Sequence, residues 1–377
     1  MRIPTQAGFA LAAAMVAVSV APAAASISHG PASNSPAFQM GIIPKVILRS
    51  ELGKYSHPNV LRPSVGQAAA KFAMSHHVDL RGLTKGYRPD GGATGIVTDD
   101  AGYIWILNAK FTKVTSYLSD CSGAEGAKVD HSKNLWVACT NTGTVNEYAP
   151  GATSATMVLN DNPAGVTYYT ADVAVDHNGN VYASALYAFS CTGSYCYFYP
   201  GNVAYWTNPT NGASPTGTVA DPNIYEGFFL DSDNAGTNVY VDYVASGTYG
   251  YQLDQITNPT SATPTITTQP ASLLFPGGVY VAHSGNVLVN DQDAHTITEY
   301  QPSPWTALGS LGPLPTNIFG SGDAVACGPN KAESMIACGD AGLHTADIGK
   351  VSTNAWTAKW YIDYSIPIGG AYSPSDK

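Results

Sequence analysis

Charge is scarce in this chain. Asp, Glu, Lys and Arg together make up 12% of its 377 residues, roughly half the usual share for a soluble globular protein. Basic residues are scarcer still. Lys and Arg total 17 against 27 acids, for a formal net charge of -10. Such a surface repels phosphate backbones, which excludes nucleic acid as a partner. Catalytic signatures are also missing: the chain has no GxSxG elbow, no HExxH pair and no Walker loop. It has no CxxC, which excludes the usual dithiol redox and cysteine-paired zinc sites. Beyond the first 25 residues no apolar run reaches membrane-spanning length.

What is present is uncharged polarity and short apolar alternation. Hydrophobic residues make up 44%, enough for a sizeable core, and Tyr alone numbers 23. Arg2 precedes the apolar run from Gly8 to Ala25, and Ala23-Ala24-Ala25 offers a cleavage site before Ser26. This is the pattern of a secretory leader. The expected location is therefore secreted or periplasmic, with no membrane span once residues 1–25 are removed. The six cysteines then read as disulfides. Grouped by nearness in sequence they pair as Cys121 with Cys139, Cys191 with Cys196 and Cys327 with Cys338. Residues 26–91 carry little periodicity and read as an N-terminal arm, with a short helix over Ser64–Met74 following Pro63.

From residue 92 onward the chain repeats itself. "GIVTDDAGYIWILN" (Gly95–Asn108), "GAKVDHSKNLWVAC" (Gly126–Cys139) and "DVAVDHNGNVYASA" (Asp172–Ala185) each write two apolar strands around a tight turn. So do "GFFLDSDNAGTNVYVDY" (Gly227–Tyr243), "GVYVAHSGNVLVND" (Gly278–Asp291) and "DAVACGPNKAESMIACG" (Asp323–Gly339). The turn has a chemical cause. Asp99 and Asp176 stand three residues before Gly102 and Gly179, the preferences of a type I turn in which the carboxylate accepts backbone N–H groups. Asp99, Asp130, Asp176 and Asp231 are accordingly read as turn residues. A second plan follows each hairpin: a strand, a Pro-containing turn and usually a Thr-rich strand, as in "TVNEYAPGATSATMVL" (Thr144–Leu159). Repeats spaced by about thirty to fifty-five residues fit four-stranded propeller blades. The fold expected is all-β: a six-bladed β-propeller of four-stranded blades over 92–377, closed by tail strands in Ala355–Ile368, and monomeric.

The segment "GVYVAHSGNVLVNDQDAHTITEYQPSP" (Gly278–Pro304) resembles the NHL-repeat family, as do Asn134–Ala152 and Asp172–Ser184. The resemblance covers about residues 92–365. It implies a propeller, and a family that ranges from protein-binding modules to lyases similar to virginiamycin B lyase. "YEGFFLDSDNAGTNVYVDYV" (Tyr225–Val244) resembles in addition the gluconolactonase and senescence-marker group. That likeness implies a metal-ligand role for Glu226, although Phe228 stands where that group has Pro.

Aligning the repeats yields a candidate site. If the first strand of every blade lines the channel, equivalent positions form a ring. Blade two then contributes Glu125, blade three Asp172, blade four Glu226 and blade six Asp323, while blades one and five contribute Thr94-Gly95 and Gly277-Gly278. Asp242, Asn290 and Asp291 end second strands that return to the same rim. Carboxylates so grouped cannot all stay ionised without a proton or a cation, and oxygen ligands suit Ca²⁺. The other readings of these acids are solvent exposure and capping of backbone N–H groups. His76 and His77 are read as a surface strand contact, His131 and His177 as turn residues at the opposite rim, and His295 and His344 as candidate bases. The Tyr-rich stretch Ser184–Trp206, stapled by Cys191 and Cys196, reads either as a contact surface or as blade-edge packing. Two functions remain open. One is a binding module for an extracellular protein, glycan or surface polymer. The other is a metal-dependent hydrolase or lyase acting on a small molecule at the acidic rim.

Overall fold

The computed structural model describes residues 45–48, 83–89, 94–99, 101–361 and 367–373, apart from 109, 112, 163–165, 193–194, 220, 249, 316–323, 331, 341–344 and 362–366. Its strands form six sheets arranged as the blades of a propeller, antiparallel except where the short Thr84–Lys85 strand runs parallel to Val114–Leu118 at the edge of blade one. Blade two consists of Ala124–Val129, Leu135–Cys139, Thr144–Tyr148 and Met157–Asn160. Blade four runs through Ile224–Ser232, Asn238–Ala245, Tyr251–Thr257 and Thr265–Gln269, and blade five through Pro276–Val281, Val287–Asp291, Thr296–Pro302 and Trp305–Leu311. Blade six is Ala324–Pro329, Met335–Asp340, Thr345–Lys350 and Ala355–Tyr361. All-β architecture, six blades and four strands per blade all follow the sequence reading.

Blade one departs from the simple repeat. Its Thr94–Asp99 strand pairs on one side with Ile104–Asn108 and on the other with the tail strand Pro367–Ser373. The tail strand packs between the inner strands of blades six and two. It is therefore the channel-lining strand of blade one, and Thr94–Asp99 is the second strand. The tail closes the ring, but from inside blade one rather than within blade six alone. Thr94 and Gly95 accordingly do not belong to the inner ring.

Blade three departs by addition. Its second strand, Val181–Thr192, is far longer than its counterparts and folds back as a hairpin with Tyr195–Pro200. Lys45–Leu48 pairs antiparallel with the free edge of that hairpin, covering N–H and C=O groups that an edge would leave open. The inner part of the blade is conventional, from Thr167–Val175 through Val203–Trp206 to Gly217–Val219.

Packing lies between the blades. One face of each sheet meets the next, as Ile96, Ile104 and Ile106 meet Val129, Leu135 and Val137. Ala174 and Tyr182 meet Leu230, Val239 and Val241 in the same way. The apolar residues alternate along each strand because successive side chains point to opposite faces, so both faces of a blade feed a core.

The turns behave as the sequence suggests. Asp99 accepts from Tyr103 N at 2.9 Å and Trp105 Nε1 at 2.6 Å. Asp130 accepts from Asn134 N at 2.8 Å and Trp136 Nε1 at 3.0 Å. Asp176 accepts from Asn180 N at 2.9 Å and Tyr182 Oη at 3.1 Å. Blade four corrects one assignment. Its turn is longer, so the turn acid is Asp233, which accepts from Thr237 N at 2.7 Å and Asn238 N at 3.0 Å. Asp231 points elsewhere, as shown below. In blade six Asn330 takes the same role for Ser334 N and Met335 N.

The three disulfides are the local pairs: Cys121–Cys139, Cys191–Cys196 and Cys327–Cys338, with Cα separations of 5.1, 4.0 and 4.1 Å. Three bridges suit an oxidising, extracytoplasmic compartment. No helix among the described residues is long and apolar enough to cross a membrane. The leader, the Ser64–Met74 helix, His76, His77, Asp323 and His344 lie outside the described residues.

Candidate functional site: the channel and its aromatic mouth

Every inner strand carries a register shift. In blade two it falls between Ala124 and Ala127, in blade four between Gly227 and Leu230, and in blade six between Val325 and Gly328. A bulge leaves backbone groups without ladder partners, and these must be satisfied once buried. The buried aspartates do this. Asp242, on the second strand of blade four, accepts from Phe229 N at 2.7 Å within the bulge and from Gly278 N of blade five at 3.2 Å. Asp172 accepts from Val173 N at 2.8 Å and from Leu230 N of blade four at 3.1 Å. Asp231 accepts from Val281 N of blade five at 2.8 Å. Each joins its own blade to the next. Hydroxyls complete the seam: Ser184 Oγ donates to Phe228 O, Thr98 Oγ1 to Glu125 O, and Thr140 Oγ1 to Thr170 O at 2.8 Å.

These carboxyls are deeply buried. Burial pushes Asp172 up to about 7, against the opposing effect of Lys128 and its two backbone bonds. Burial pushes Asp242 up to about 8, again against two backbone donors, with Asp172 adding to the rise. Lys128 is the cation of this interior: its Nζ lies 3.6 Å from Asp231 and 5.2 Å from the centroid of Tyr280. Space here is tight. A Cβ at Gly126 would fall 1.7 Å from Asp172 Oδ1, so this glycine is required by close approach rather than by its backbone angle.

Of the acids aligned from sequence, then, Asp172 and Asp242 lie in the channel wall as inter-blade acceptors. Asn290 is buried and donates to Gly277 O at 3.1 Å. Asp291 caps the approach to blade five, accepting from Leu274 N at 2.7 Å and Phe275 N at 3.1 Å. Glu125 is half-buried in the blade-two bulge. Among the described residues, no three His, Cys, Asp or Glu side chains come together as a metal cage.

Glu226 differs from all of these. It is 6% exposed, and among the described residues no hydrogen bond or ion pair reaches its carboxyl. Burial alone pushes that carboxyl up to about 7. Its neighbours are aromatic. Tyr187 and Tyr251 both feel its charge, which with burial raises their hydroxyls.

Tyr187 belongs to the elongated blade-three strand and pairs with Pro200 of the hairpin. Tyr187 stacks on Phe198 at 4.9 Å, and Phe198 lies 6.1 Å from Tyr225. Tyr169 meets Tyr187 at 4.8 Å, and Tyr251 meets Phe275 at 5.1 Å. One apolar cluster joins these rings across blades three, four and five, with Phe189, Phe198, Tyr225 and Tyr251 only partly covered. Burial raises the Tyr187 and Tyr251 hydroxyls, and the charges of Glu125 and Asp293 add to the rise. Of the two sequence readings of the Tyr-rich stretch, packing is what the structure shows: Tyr187 stacks on Phe198 within one apolar cluster, in which Phe189 and Phe198 stay partly covered. Quoted alone, the stretch shows its rings but not their meeting with Glu226, which only the blade three–blade four seam brings about.

The opposite rim is plainer. His131 and His177, on the turns of blades two and three, stack at 5.5 Å. They border a depression of about 20 Å³ lined also by Lys128, Asp130, Asp176 and Tyr280, room for one water molecule. His295 sits in a turn with φ 53°, its backbone bonded to Gln292 and Leu314.

No protein-family profile matches the chain, and no curated protein sequence matches it. Solved structures match by fold. A chain in the crystal structure of a nidogen/laminin complex is 12% identical with a TM-score of 0.54, covering 76% of this chain and 100% of that one. A protein of unknown function from Bacteroides caccae is 10% identical with a TM-score of 0.51, covering 74% and 99%. At these identities the likeness is one of fold: the protein is a six-bladed β-propeller structurally similar to these chains.

Proposed function

We propose that this protein is an extracytoplasmic binding module of NHL-type blades whose ligand, a glycan, seats on the aromatic mouth of the channel. The observation that carries this reading is the blade-three hairpin. A strand elongated beyond its blade, stapled at its tip and covered at its edge, raises partly exposed rings over one side of the mouth. Rings held by a sheet lose little freedom on binding, and their flat faces pack against the C–H faces of sugar rings. The interior favours binding over metal chemistry, because Asp172 and Asp242 already accept inter-blade N–H groups. A chain of similar fold was crystallised in a nidogen/laminin complex, a setting compatible with a binding role for this ring. The leader-like N-terminus and three disulfides support a secreted or periplasmic site of action.

Glycan-array screening of the mature protein, followed by titration calorimetry, tests the reading. Phe198→Ala and Tyr251→Ala should each weaken a captured glycan about tenfold, as truncation of an aromatic anchor does. Binding that survives both substitutions would refute the mouth as the site. A melting temperature raised by Ca²⁺ and lost in Glu226→Gln would instead favour a cation-assisted hydrolase, with Glu226 and Glu125 as ligands and lactones or esters as the substrates to try.

A further inference from the structure

We infer that the mouth around Glu226 receives a primary ammonium group, carried by an amine-bearing sugar of the bound glycan. The inference rests on the glycan reading above and names the chemistry of its ligand. Three observations lead to it. Glu226 is a buried carboxyl to which the described residues offer no donor and no cation. A carboxyl so placed lacks its counter-charge, which is why burial alone raises it to about 7. The surroundings are aromatic: Tyr225 precedes Glu226 on its strand and shares one partly covered ring cluster with Phe198 and Tyr251, while Lys128 is engaged with Asp231 and Tyr280. An ammonium group is attracted both to a carboxylate and to the faces of aromatic rings, so one ligand group suits both features. A neutral sugar would leave Glu226 without its partner, and an anionic one would be repelled by it.

An amine on a sugar fits better than a lysine on a peptide. An extended peptide would be held by pairing with a strand edge, and the outer edge of the hairpin is already taken by Lys45–Leu48. Phe189, Phe198, Tyr225 and Tyr251 instead offer partly covered ring faces within one cluster, on which sugar faces can pack.

The test titrates three probes into the mature protein: a glucosamine oligomer, its fully N-acetylated counterpart and a lysine-rich peptide. The expected result is tight binding of the glucosamine oligomer, with the N-acetylated form and Glu226→Gln each weakening it about thirtyfold, as loss of one partner of a buried charge pair does. Glu226→Gln should melt no lower than the parent, which separates loss of binding from loss of the fold. Equal affinity for both oligomers, with no effect of Glu226→Gln, overturns the ammonium assignment while leaving the glycan reading standing. Binding of the peptide alone overturns the sugar as its source. Binding of none of the three overturns it as well, and a glycan array still negative would then fail the wider reading separately.

Discussion

Asp242 and Glu226 lie on neighbouring strands of the same blade, both buried, and they are spent in opposite ways. Asp242 is enclosed by backbone donors from two blades; Glu226 has aromatic rings around it and no donor among the described residues. The channel wall and the channel mouth therefore use the same chemistry for different ends. In the wall, a carboxylate replaces the ladder bond that a bulge has broken. At Glu226, a carboxyl is buried with no donor among the described residues. The comparison teaches that burial and a raised pKa do not by themselves mark a functional acid. What separates the two is whether the structure already supplies the partner.

Removing the wall acid should have the largest effect. Asp242→Ala strands Phe229 N and Gly278 N at a blade seam, and two unsatisfied buried donors cost about 3 kcal/mol. Thermal unfolding should register a fall of about 5 °C. An unchanged melting temperature would mean the seam is held by other contacts. Gly126→Ala should act at the same place, since its Cβ would invade Asp172, with a cost of about 2 kcal/mol from overpacking.

The next effect is a dependence on pH. Asp172, Asp242 and Glu226 all have folded pKa values raised above their unfolded ones, to about 7, 8 and 7. In that window the folded state holds more protons than the unfolded state, so stability is greatest at acid pH and declines as pH rises. The melting temperature should therefore be higher at pH 5 than at pH 8. A flat or rising profile would show that these carboxyls are ionised in the folded ring. The smallest effect on stability should come at the mouth: Glu226→Gln removes a buried charge and strands nothing, so its melting temperature should match or slightly exceed the parent's.

The blades were legible in the sequence because each carries its own local signals: period-two apolar runs, an Asp-to-Gly turn and a Thr-rich return strand. The turn roles of Asp99, Asp130 and Asp176 followed from those signals, and so did the pairing of cysteines close in sequence. Asp231 was misread because the blade-four turn is longer, and its alignment with Asp176 placed the turn acid too early. Blade one was misread for a different reason. Nothing local in Thr94–Asp99 says that a strand from the far end of the chain lies inside it. For Asp172 and Asp242 the capping of backbone N–H groups, one of the readings open in the sequence, is what the structure shows, but the particular donors were not legible, because a bulge in one blade and a carboxylate in the next relate segments far apart in sequence. The meeting of Glu226 with Tyr187 and Tyr251 was hidden likewise.

The tail strand of blade one has a consequence for biogenesis. Residues 94–118 supply the outer strands of that blade and residues 367–373 its channel strand. A nascent chain can therefore stack blades two to six while still incomplete, yet it has no circle until its final segment arrives. A chain without residues 367–373 would present an open seam to proteases and to other chains. Closure of the ring thus waits on that one strand, however early the other blades form.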